Sequence, residues 1–337
     1  MMKPTDFAIY LSRFFTDHLA GERNASPNTI KGYRDAFKLL LGHCRDQLGI
    51  PPDRLTLRAL TAEVIRDFLT HLAQRPRCCV RTRNHRLSAI HSFFRYVQSE
   101  EPQLLLQCQQ VLAIPMQKAP SRPVEYLNPD QLGAILGAPD LATAAGRRDA
   151  VLLSVLYDTG ARVQEIIDLS VRDVRLDPPA QIRLTGKGRK TRVVPLMNGT
   201  VALLREYLRE HDLQRPERLD TPFFWNRRHE RLTRSGVRYI LNQHAEHARR
   251  GQPGLPHVHP HRLRHSKAMH LLQAGNPMVV IQAVLGHADV RTTSIYARAN
   301  LEMTRAALEK TSASGPTRPS LQSWQTNPAL MEWLRSL

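Results

Sequence analysis

The sequence HRLRHS at residues 261–266, directly after Pro260, is the most specific signal in this chain of 337 residues. Proline is favoured in the first turn of a helix, so a helix is predicted to begin at or just after Pro260. On that helix His261 and Arg264 are three residues apart and share one face, and the leucines beside them are left for packing. An imidazole and a guanidinium on one helix face can contact the same anion. The segment therefore predicts an anion-binding helix.

Two basic residues further upstream stand next to glycine turns. Arg162 comes two residues after Gly160, at the start of a predicted helix, where backbone N–H groups also favour an anion. A surface arginine beside Glu165 is the alternative at that position. Lys187 lies in the sequence GKGRK, which joins two alternating segments and predicts the tip of a β-hairpin. A solvated turn lysine is the alternative there, and Lys190 competes for the same role.

A histidine and a tyrosine follow the anion-binding helix. An apolar helix is predicted to end at Gly286, and His287 comes directly after it. Tyr296 stands nine residues beyond His287. Taken alone, this tyrosine is more typical of a half-buried core residue than of a catalytic group. Tyr296 becomes a candidate functional residue because it follows the basic residues described above in the chain.

Together these groups supply what a metal-free attack on a phosphodiester needs. Guanidiniums neutralise phosphate oxygens, lysine and histidine move protons, and tyrosine can hold the phosphoryl group covalently. In this chain order the set resembles the catalytic residues of the tyrosine recombinases, a family that includes phage integrases and chromosome-dimer resolvases. The matching residues are Arg162, Lys187, His261, Arg264, His287 and Tyr296.

The resemblance implies a mechanism and a fold. Tyr296 would attack the scissile phosphate to leave a 3′-phosphotyrosyl link, and Lys187 would protonate the departing 5′ oxygen. Because a tyrosine with a pKa of about 10 is mostly protonated at neutral pH, a base is expected. His261 is the candidate for it, with His287 as a phosphate ligand. The implied fold is mainly α with a small β-sheet (α+β), and no metal or other cofactor is expected.

A metal site is the alternative for the histidines between residues 257 and 270. No carboxylate or thiolate accompanies them at a recognisable zinc spacing, and Pro260 interrupts a helical ligand face. The sequence therefore favours the metal-free interpretation.

The composition indicates a polyanionic partner. Lys and Arg number 48 against 30 Asp and Glu, which gives a formal net charge of +18. The hydrophobic content of 42% is typical of a globular protein. A basic globular protein without a nucleic-acid partner is the alternative that charge alone leaves open.

The cysteines and the N-terminal sequence indicate the cellular compartment of the protein. The four cysteines form no CxxC pair, which favours a reducing compartment over a disulfide framework. No uncharged apolar run reaches bilayer length, and the N-terminus shows no apolar signal-peptide core. The sequence predicts a cytoplasmic, nucleoid-associated protein without a membrane partner.

The first hundred residues predict a helical bundle. Apolar residues recur at helical spacing in four segments, and the second follows a Ser26 cap with Pro27 in the first turn. The segment is similar, less specifically than the catalytic residues, to the core-binding domain of the same family. The fourth helix, about residues 80–98, predicts a phosphate-binding face, with an ordinary solvated face as the alternative. Its arginines are Arg81, Arg83, Arg86 and Arg95.

The prolines between the two halves predict an extended basic linker that contains Lys118. Lys190 and Lys267 are further candidates for phosphate contact. The predicted domains are a helical DNA-binding domain at 1–112, the linker at 113–125, a catalytic domain at 126–310 and a C-terminal tether and helix at 311–337. That helix is predicted to dock on a neighbouring protomer, with its own catalytic domain as the alternative.

Three classes of function remain. The leading one is a site-specific recombinase that acts on double-stranded DNA with paired recombination sites, as a homo-tetramer on DNA and a monomer or dimer off DNA. Integration, excision or transposition of a mobile element is favoured over chromosome-dimer resolution. A type IB topoisomerase and an inactive DNA-binding protein are the other two. The helical domain before the catalytic residues disfavours the topoisomerase, and the complete set of six disfavours the inactive protein.

Overall fold

In a computed structural model, the described part of the chain comprises residues 3–76, 78–120, 124–186, 188, 190–286, 296 and 332. The chain divides into two compact units, Met1–Arg122 and Pro123–Leu337. Both are mainly helical, and the second also holds a small antiparallel sheet. The mainly α fold with a small β-sheet is thereby confirmed.

The first unit is a bundle around a core rich in phenylalanine, which includes Phe37, Phe68 and Phe93. Helix α2 begins as its sequence predicts, because the Ser26 side chain accepts a hydrogen bond from the third residue of the helix. The helices of this unit are α1 (Asp6–Arg13), α2 (Pro27–Leu48), α3 (Ala62–Ala73), α4 (Val80–Glu100) and α5 (Leu105–Leu112).

A π-helical segment, Phe14–Glu22, continues α1. The sequence predicts an ordinary α-helix up to about residue 15. Phe14 and Leu19 are both buried and are five residues apart, which is the hydrogen-bond spacing of a π-helix. The wider turn therefore brings both side chains to the same core.

Helix α5 lies directly before the linker that the sequence predicts at 113–125. It is short, and it buries Cys108 and Val111 in the core of the first unit. The proposed linker at 113–125 stays a prediction. The predicted C-terminal tether and helix lie outside the described residues except for Glu332.

The second unit wraps helices around a three-stranded sheet. The sheet consists of β1 (Val174–Arg175), β2 (Gln181–Thr185) and β3 (Thr191–Pro195), in that order and antiparallel. The helices of the second unit are α6 (Pro129–Leu136), α7 (Ala144–Asp158), α8 (Val163–Ile167), α9 (Asn198–Glu210), α10 (Arg234–Gly251), α11 (Pro260–Gln273) and α12 (Met278–Leu285). Across all described residues, no helix has both the length and the apolar character that a membrane span requires.

The predicted hairpin is confirmed as β2 and β3. Ile182 pairs with Val194, and both are buried together with Leu184. Alternate residues of the two strands therefore join the core of the second unit.

Two glycine turns position the functional helices. Gly160 has a φ of 55° and separates α7 from α8, and Gly286 has a φ of 64° and ends α12. Left-handed backbone of this kind favours glycine. Both turns thus end their helices where the sequence predicts.

One glycine in the second unit is required for a close approach. A Cβ at Gly146, near the start of α7, would lie 1.9 Å from the carbonyl oxygen of Asp140, whereas Gly133 in α6 has no heavy atom within 4 Å of that position. We expect Gly146→Ala to lower the free energy of unfolding by about 1–3 kcal/mol through overpacking. Gly133→Ala should leave it unchanged or raise it by up to about 1 kcal/mol through helix propensity. Urea unfolding measures both, and equal effects would contradict the close approach.

Candidate active site

The carboxylate of Glu165 is the centre of the site. It lies in the first turn of α8, and its side chain is 2% exposed. Arg162 donates to it twice, through the backbone N–H to Oε2 and through Nη1 to Oε1, both at 2.8 Å. Arg192, from strand β3, donates through Nη2 to Oε2 at 2.7 Å and through Nη1 to Oε1 at 3.0 Å. One buried carboxylate therefore fixes two guanidiniums from different elements.

These contacts keep Glu165 ionised. Burial alone would raise the pKa of this carboxyl, but the hydrogen bonds from Arg192 and Arg162 lower it to about 2. The carboxylate is therefore a permanent anchor for the two arginines at neutral pH.

The end of helix α12 holds all three arginines of the site. Arg264, on α11, donates to the carbonyl of Leu285 at 2.7 Å and to that of Gly160 at 2.6 Å. Arg192 donates to Val284 at 2.9 Å, and Arg162 lies 3.5 Å from the carbonyl oxygen of Gly286. The last carbonyls of a helix have no partner within it and carry its negative dipole end. They orient the guanidiniums without neutralising them.

Among the residues that the structure describes, positive charge dominates around Arg264. This residue is 3% exposed, and the charges that act on it include those of Arg162, Arg192 and the Glu165 carboxylate. Burial, followed by the neighbouring Arg162, lowers the pKa of Arg264 to about 10. A buried, incompletely compensated guanidinium favours an anionic ligand nearby, and a phosphodiester is such a ligand.

His261 lies at the start of α11, as its sequence predicts. The His259 side chain accepts from the backbone N–H of Arg262 at 3.2 Å and caps this helix directly before Pro260. His261 is exposed, and desolvation by neighbouring protein atoms, followed by the charge of Arg264, lowers its pKa. Its imidazole is accordingly neutral at neutral pH and lies beside the guanidinium cluster.

Tyr296 belongs to the same site. The residue is 1% exposed and packs with Met269, Ile281 and Leu285 in a small apolar cluster. Its hydroxyl lies 2.8 Å from Nδ1 of His265. Burial raises the pKa of Tyr296, and the charges of Arg264 and Arg162 act in the opposite direction. The phenol is therefore neutral, buried and within electrostatic reach of both arginines.

Lys187 and His287 lie outside the described residues. The residue before each of them contacts the cluster. A Cβ on Gly186 would lie 2.8 Å from Glu165 Oε1, and the carbonyl of Gly286 is the Arg162 neighbour described above. The chain thus reaches the site immediately before both candidate residues.

The predicted DNA-binding residues differ in their exposure to solvent. Arg81 and Arg95 on α4, Lys118, and Lys190 beside the hairpin turn are exposed. Arg83 is half-buried, with Nη1 3.4 Å from the side-chain oxygen of Asn84.

Arg86 and Lys267 also have contacts within the protein. Arg86 donates to the carbonyl of Gly32 at 3.0 Å. The Lys267 ammonium lies 4.8 Å from the ring centroid of Tyr157 and 3.9 Å from Asp158, and its side chain is 14% exposed. A phosphate contact by either residue stays a prediction.

Sequence reasoning missed Arg192 and His265. Arg192 is an ordinary basic residue in a strand, and its partner Glu165 is 27 positions away. His265 stands inside the HRLRHS segment but carried no signal that set it apart from His261. Among the described residues, no group of three or more His, Cys, Asp or Glu side chains is placed to hold a metal ion.

Comparisons with known proteins find related sequences along most of the chain. Residues 125–303 match the description "Phage integrase family", and residues 13–101 match the N-terminal SAM-like domain of phage integrases. A Sinorhizobium fredii protein named integrase/recombinase y4rC is 42% identical over 340 residues, which cover 100% of both chains. Tyrosine recombinase XerC of Oceanobacillus iheyensis is 33% identical over 88% of this chain and 93% of that protein.

Solved structures share the fold. The XerH site-specific recombinase in a post-cleavage complex with palindromic difH substrate is 21% identical, with a TM-score of 0.67 over 86% of this chain and 82% of that one. The Tn1549 transposon integrase in complex with transposon right end DNA is 16% identical, with a TM-score of 0.69 over 92% of this chain and 100% of that one.

The described part of the site thus has a buried tyrosine within electrostatic reach of two arginines. The chain belongs to the phage integrase family, the tyrosine recombinases. Its activity is that of a site-specific DNA recombinase, a strand transferase. The resemblance drawn from the sequence is confirmed.

The buried carboxylate makes a prediction for pH dependence. Its folded-state pKa of about 2 is below the ordinary 4.5, so Glu165 contributes stability above pH 4.5 that is lost as the pH falls towards 2. We expect Glu165→Gln to lower the free energy of unfolding at pH 7 by on the order of 3 kcal/mol. The gap from the wild type should close as the pH approaches 2, as measured by urea unfolding at each pH. Glu246→Gln, in an exposed ion pair with Arg249, is the control and should change stability by less than about 1 kcal/mol.

A gap between Glu165→Gln and the wild type that stays constant from pH 7 to pH 2.5 would show that the carboxylate is not held by the arginines as described.

Proposed function

We propose that Tyr296 is the nucleophile of this recombinase and that Arg162 and Arg264 bind the scissile phosphate. The observation that carries the proposal is the position of the Tyr296 phenol within electrostatic reach of both guanidiniums, which are themselves fixed by Glu165 and the end of α12. Attack by the phenolic oxygen on phosphorus forms a 3′-phosphotyrosyl link and releases the 5′ oxygen.

The arginines stabilise the charge that builds up on the phosphate. A pentacoordinate transition state carries more negative charge on its non-bridging oxygens than the diester does, and donors fixed in advance stabilise it most. Arg162 is the more accessible of the two, with a side chain 34% exposed, and Arg264 is 3% exposed. In this proposal the two guanidiniums hold the same phosphate.

The remaining roles complete the transfer. Lys187 protonates the departing 5′ oxygen, and His261 and His287 contact the phosphate. The roles of Lys187 and His287 are supported by the position of the residue before each of them. Gly186 lies against Glu165, and the carbonyl of Gly286 lies near Arg162. Rejoining reverses the steps, because the phosphotyrosyl link conserves the free energy of the phosphodiester.

The partner that fits this chemistry is double-stranded DNA with paired recombination sites, bound by a homo-tetramer, with a monomer or dimer off DNA. The exposed Arg81 and Arg95 of α4, together with Lys118 and Lys190, would contact phosphates. The full-length likeness to an integrase/recombinase favours movement of a mobile element over dimer resolution. Such a protein would work in the cytoplasm at the nucleoid.

The nucleophile is tested by Tyr296→Phe. Phenylalanine keeps the ring in its apolar cluster and removes only the hydroxyl, so the variant should fold and bind DNA but form no covalent adduct. A nicked suicide substrate resolved on denaturing gels shows the adduct directly. Tyr239→Phe, at a tyrosine that is 63% exposed, is the matched control and should react like the wild type. An adduct that survives in Tyr296→Phe would show that another residue attacks.

The leaving-group role of Lys187 is tested with a bridging 5′ sulfur, which departs without protonation. The sulfur substrate should restore cleavage to Lys187→Ala by about 10²–10⁴-fold, the usual contribution of a general acid. It should not restore cleavage to Arg162→Gln, which is impaired in charge stabilisation. Equal rescue of the two variants contradicts the division of roles. Added EDTA should leave the wild-type rate unchanged, whereas inhibition would support a metal site at the histidines.

A further inference from the structure

His265 is placed to act on the hydroxyl of Tyr296. It follows Arg264 on α11 and is half-buried. Its Nδ1 atom lies 2.8 Å from the phenolic oxygen, and the ring centroids of the two residues are 5.7 Å apart. A separation of about 2.6–3.2 Å between heavy atoms is the range in which a side chain can take a proton directly.

We propose that His265 is the base that accepts the phenolic proton of Tyr296 during strand cleavage, an inference that rests on Tyr296 being the nucleophile. As the bond from the phenolic oxygen to phosphorus forms, the O–H bond breaks and its proton passes to Nδ1 of His265. The bond from phosphorus to the 5′ oxygen breaks at the same time, and that oxygen takes a different proton from the general acid. During rejoining His265 returns its proton to the phenolic oxygen.

Burial makes a protein base necessary. Tyr296 is 1% exposed, so bulk water has little access to its hydroxyl, and burial raises the pKa of this phenol further. A tyrosine in such a place does not ionise by itself near neutral pH. The proton must therefore leave to a neighbouring side chain, and His265 is in direct contact with it.

The surroundings keep His265 in the form that can accept a proton. Desolvation comes first, followed by the positive or potentially positive groups His261, His259, Arg264 and Arg262, and together they lower the pKa of His265 to about 4. At pH 7 the imidazole is neutral and has a nitrogen lone pair available. Because a bound phosphodiester brings negative charge to the neighbouring arginines, the imidazole should become more basic when the substrate is in place.

His265 differs in this respect from His261, to which the sequence interpretation gave the role of base. The ring centroid of His261 lies 6.5 Å from that of His265, at the exposed start of the helix beside the guanidinium cluster. That position suits a phosphate contact. The two histidines of the HRLRHS segment would thus have different roles. His261 would contact the phosphate, and His265 would accept the proton of the nucleophile.

The experiment measures the rate of covalent adduct formation against pH for the full-length wild type, His265→Gln and His261→Gln. The substrate carries a bridging 5′ sulfur, so that the general acid does not affect the profile. Glutamine keeps a polar group near the phenol but cannot take its proton. We expect His265→Gln to bind DNA within about twofold of the wild type and to react about 10²–10³-fold more slowly at pH 7. Its rate should rise about tenfold per pH unit towards pH 10, as the phenolate forms without a base.

His261→Gln should be slower than the wild type without this rise, because a phosphate contact does not depend on the ionisation of the phenol. A wild-type rate in His265→Gln would overturn the proposal. A slow rate that does not rise with pH would also overturn it, because the residue would then only maintain the fold. An adduct in Tyr296→Phe on the same substrate would reject the nucleophile itself, and with it this inference.

Discussion

The site depends on one buried carboxylate that receives the forks of two arginines. Glu165 lies on α8 and Arg192 on β3, so their pair joins the helical part of the second unit to the hairpin. A carboxylate that lost one of these partners would be left buried with less compensation, which is among the most unfavourable changes in a protein interior. The same carboxylate holds Arg162 in place. The ion pair thus stabilises the fold and aligns a group that binds the substrate.

The end of helix α12 provides the second constraint. Its last carbonyls take hydrogen bonds from Arg192 and Arg264, and Gly286 ends the helix in a conformation that favours glycine. A Cβ at Gly286 would lie 2.8 Å from Cδ of Arg192, so the arginine and the turn fit closely. Carbonyl dipoles orient the guanidiniums, yet leave their positive charge for a phosphate. Contacts within the protein thus fix the three arginines of the described site.

Features with local signals could be predicted from the sequence. Pro260 marks the start of α11, Gly286 marks the end of α12, and the alternation on either side of the GKGRK turn marks the hairpin. The spacing of His261 and Arg264 on one helix face follows from the helical period alone. The candidate residues Arg162, Arg264 and Tyr296 are brought together in the structure as the order of motifs predicts.

Features that arise from contacts between distant residues could not be predicted. The pair of Arg192 with Glu165 spans 27 positions and that of His265 with Tyr296 spans 31, and neither has a local pattern. The π-helical segment after α1 depends on which side chains the core can bury. No local pattern in the sequence predicts α5, α9 or α10. Propensity is a weak guide where tertiary packing decides the outcome.

The bond between protein and DNA can be identified directly. The adduct formed with a suicide substrate is digested with trypsin and nuclease, and the joined peptide is sequenced by mass spectrometry. If Tyr296 is the nucleophile, peptide 292–298, which contains it, carries a nucleotide joined through its 3′ phosphate. A nucleotide joined through its 5′ phosphate, or found on any other peptide, would contradict that assignment.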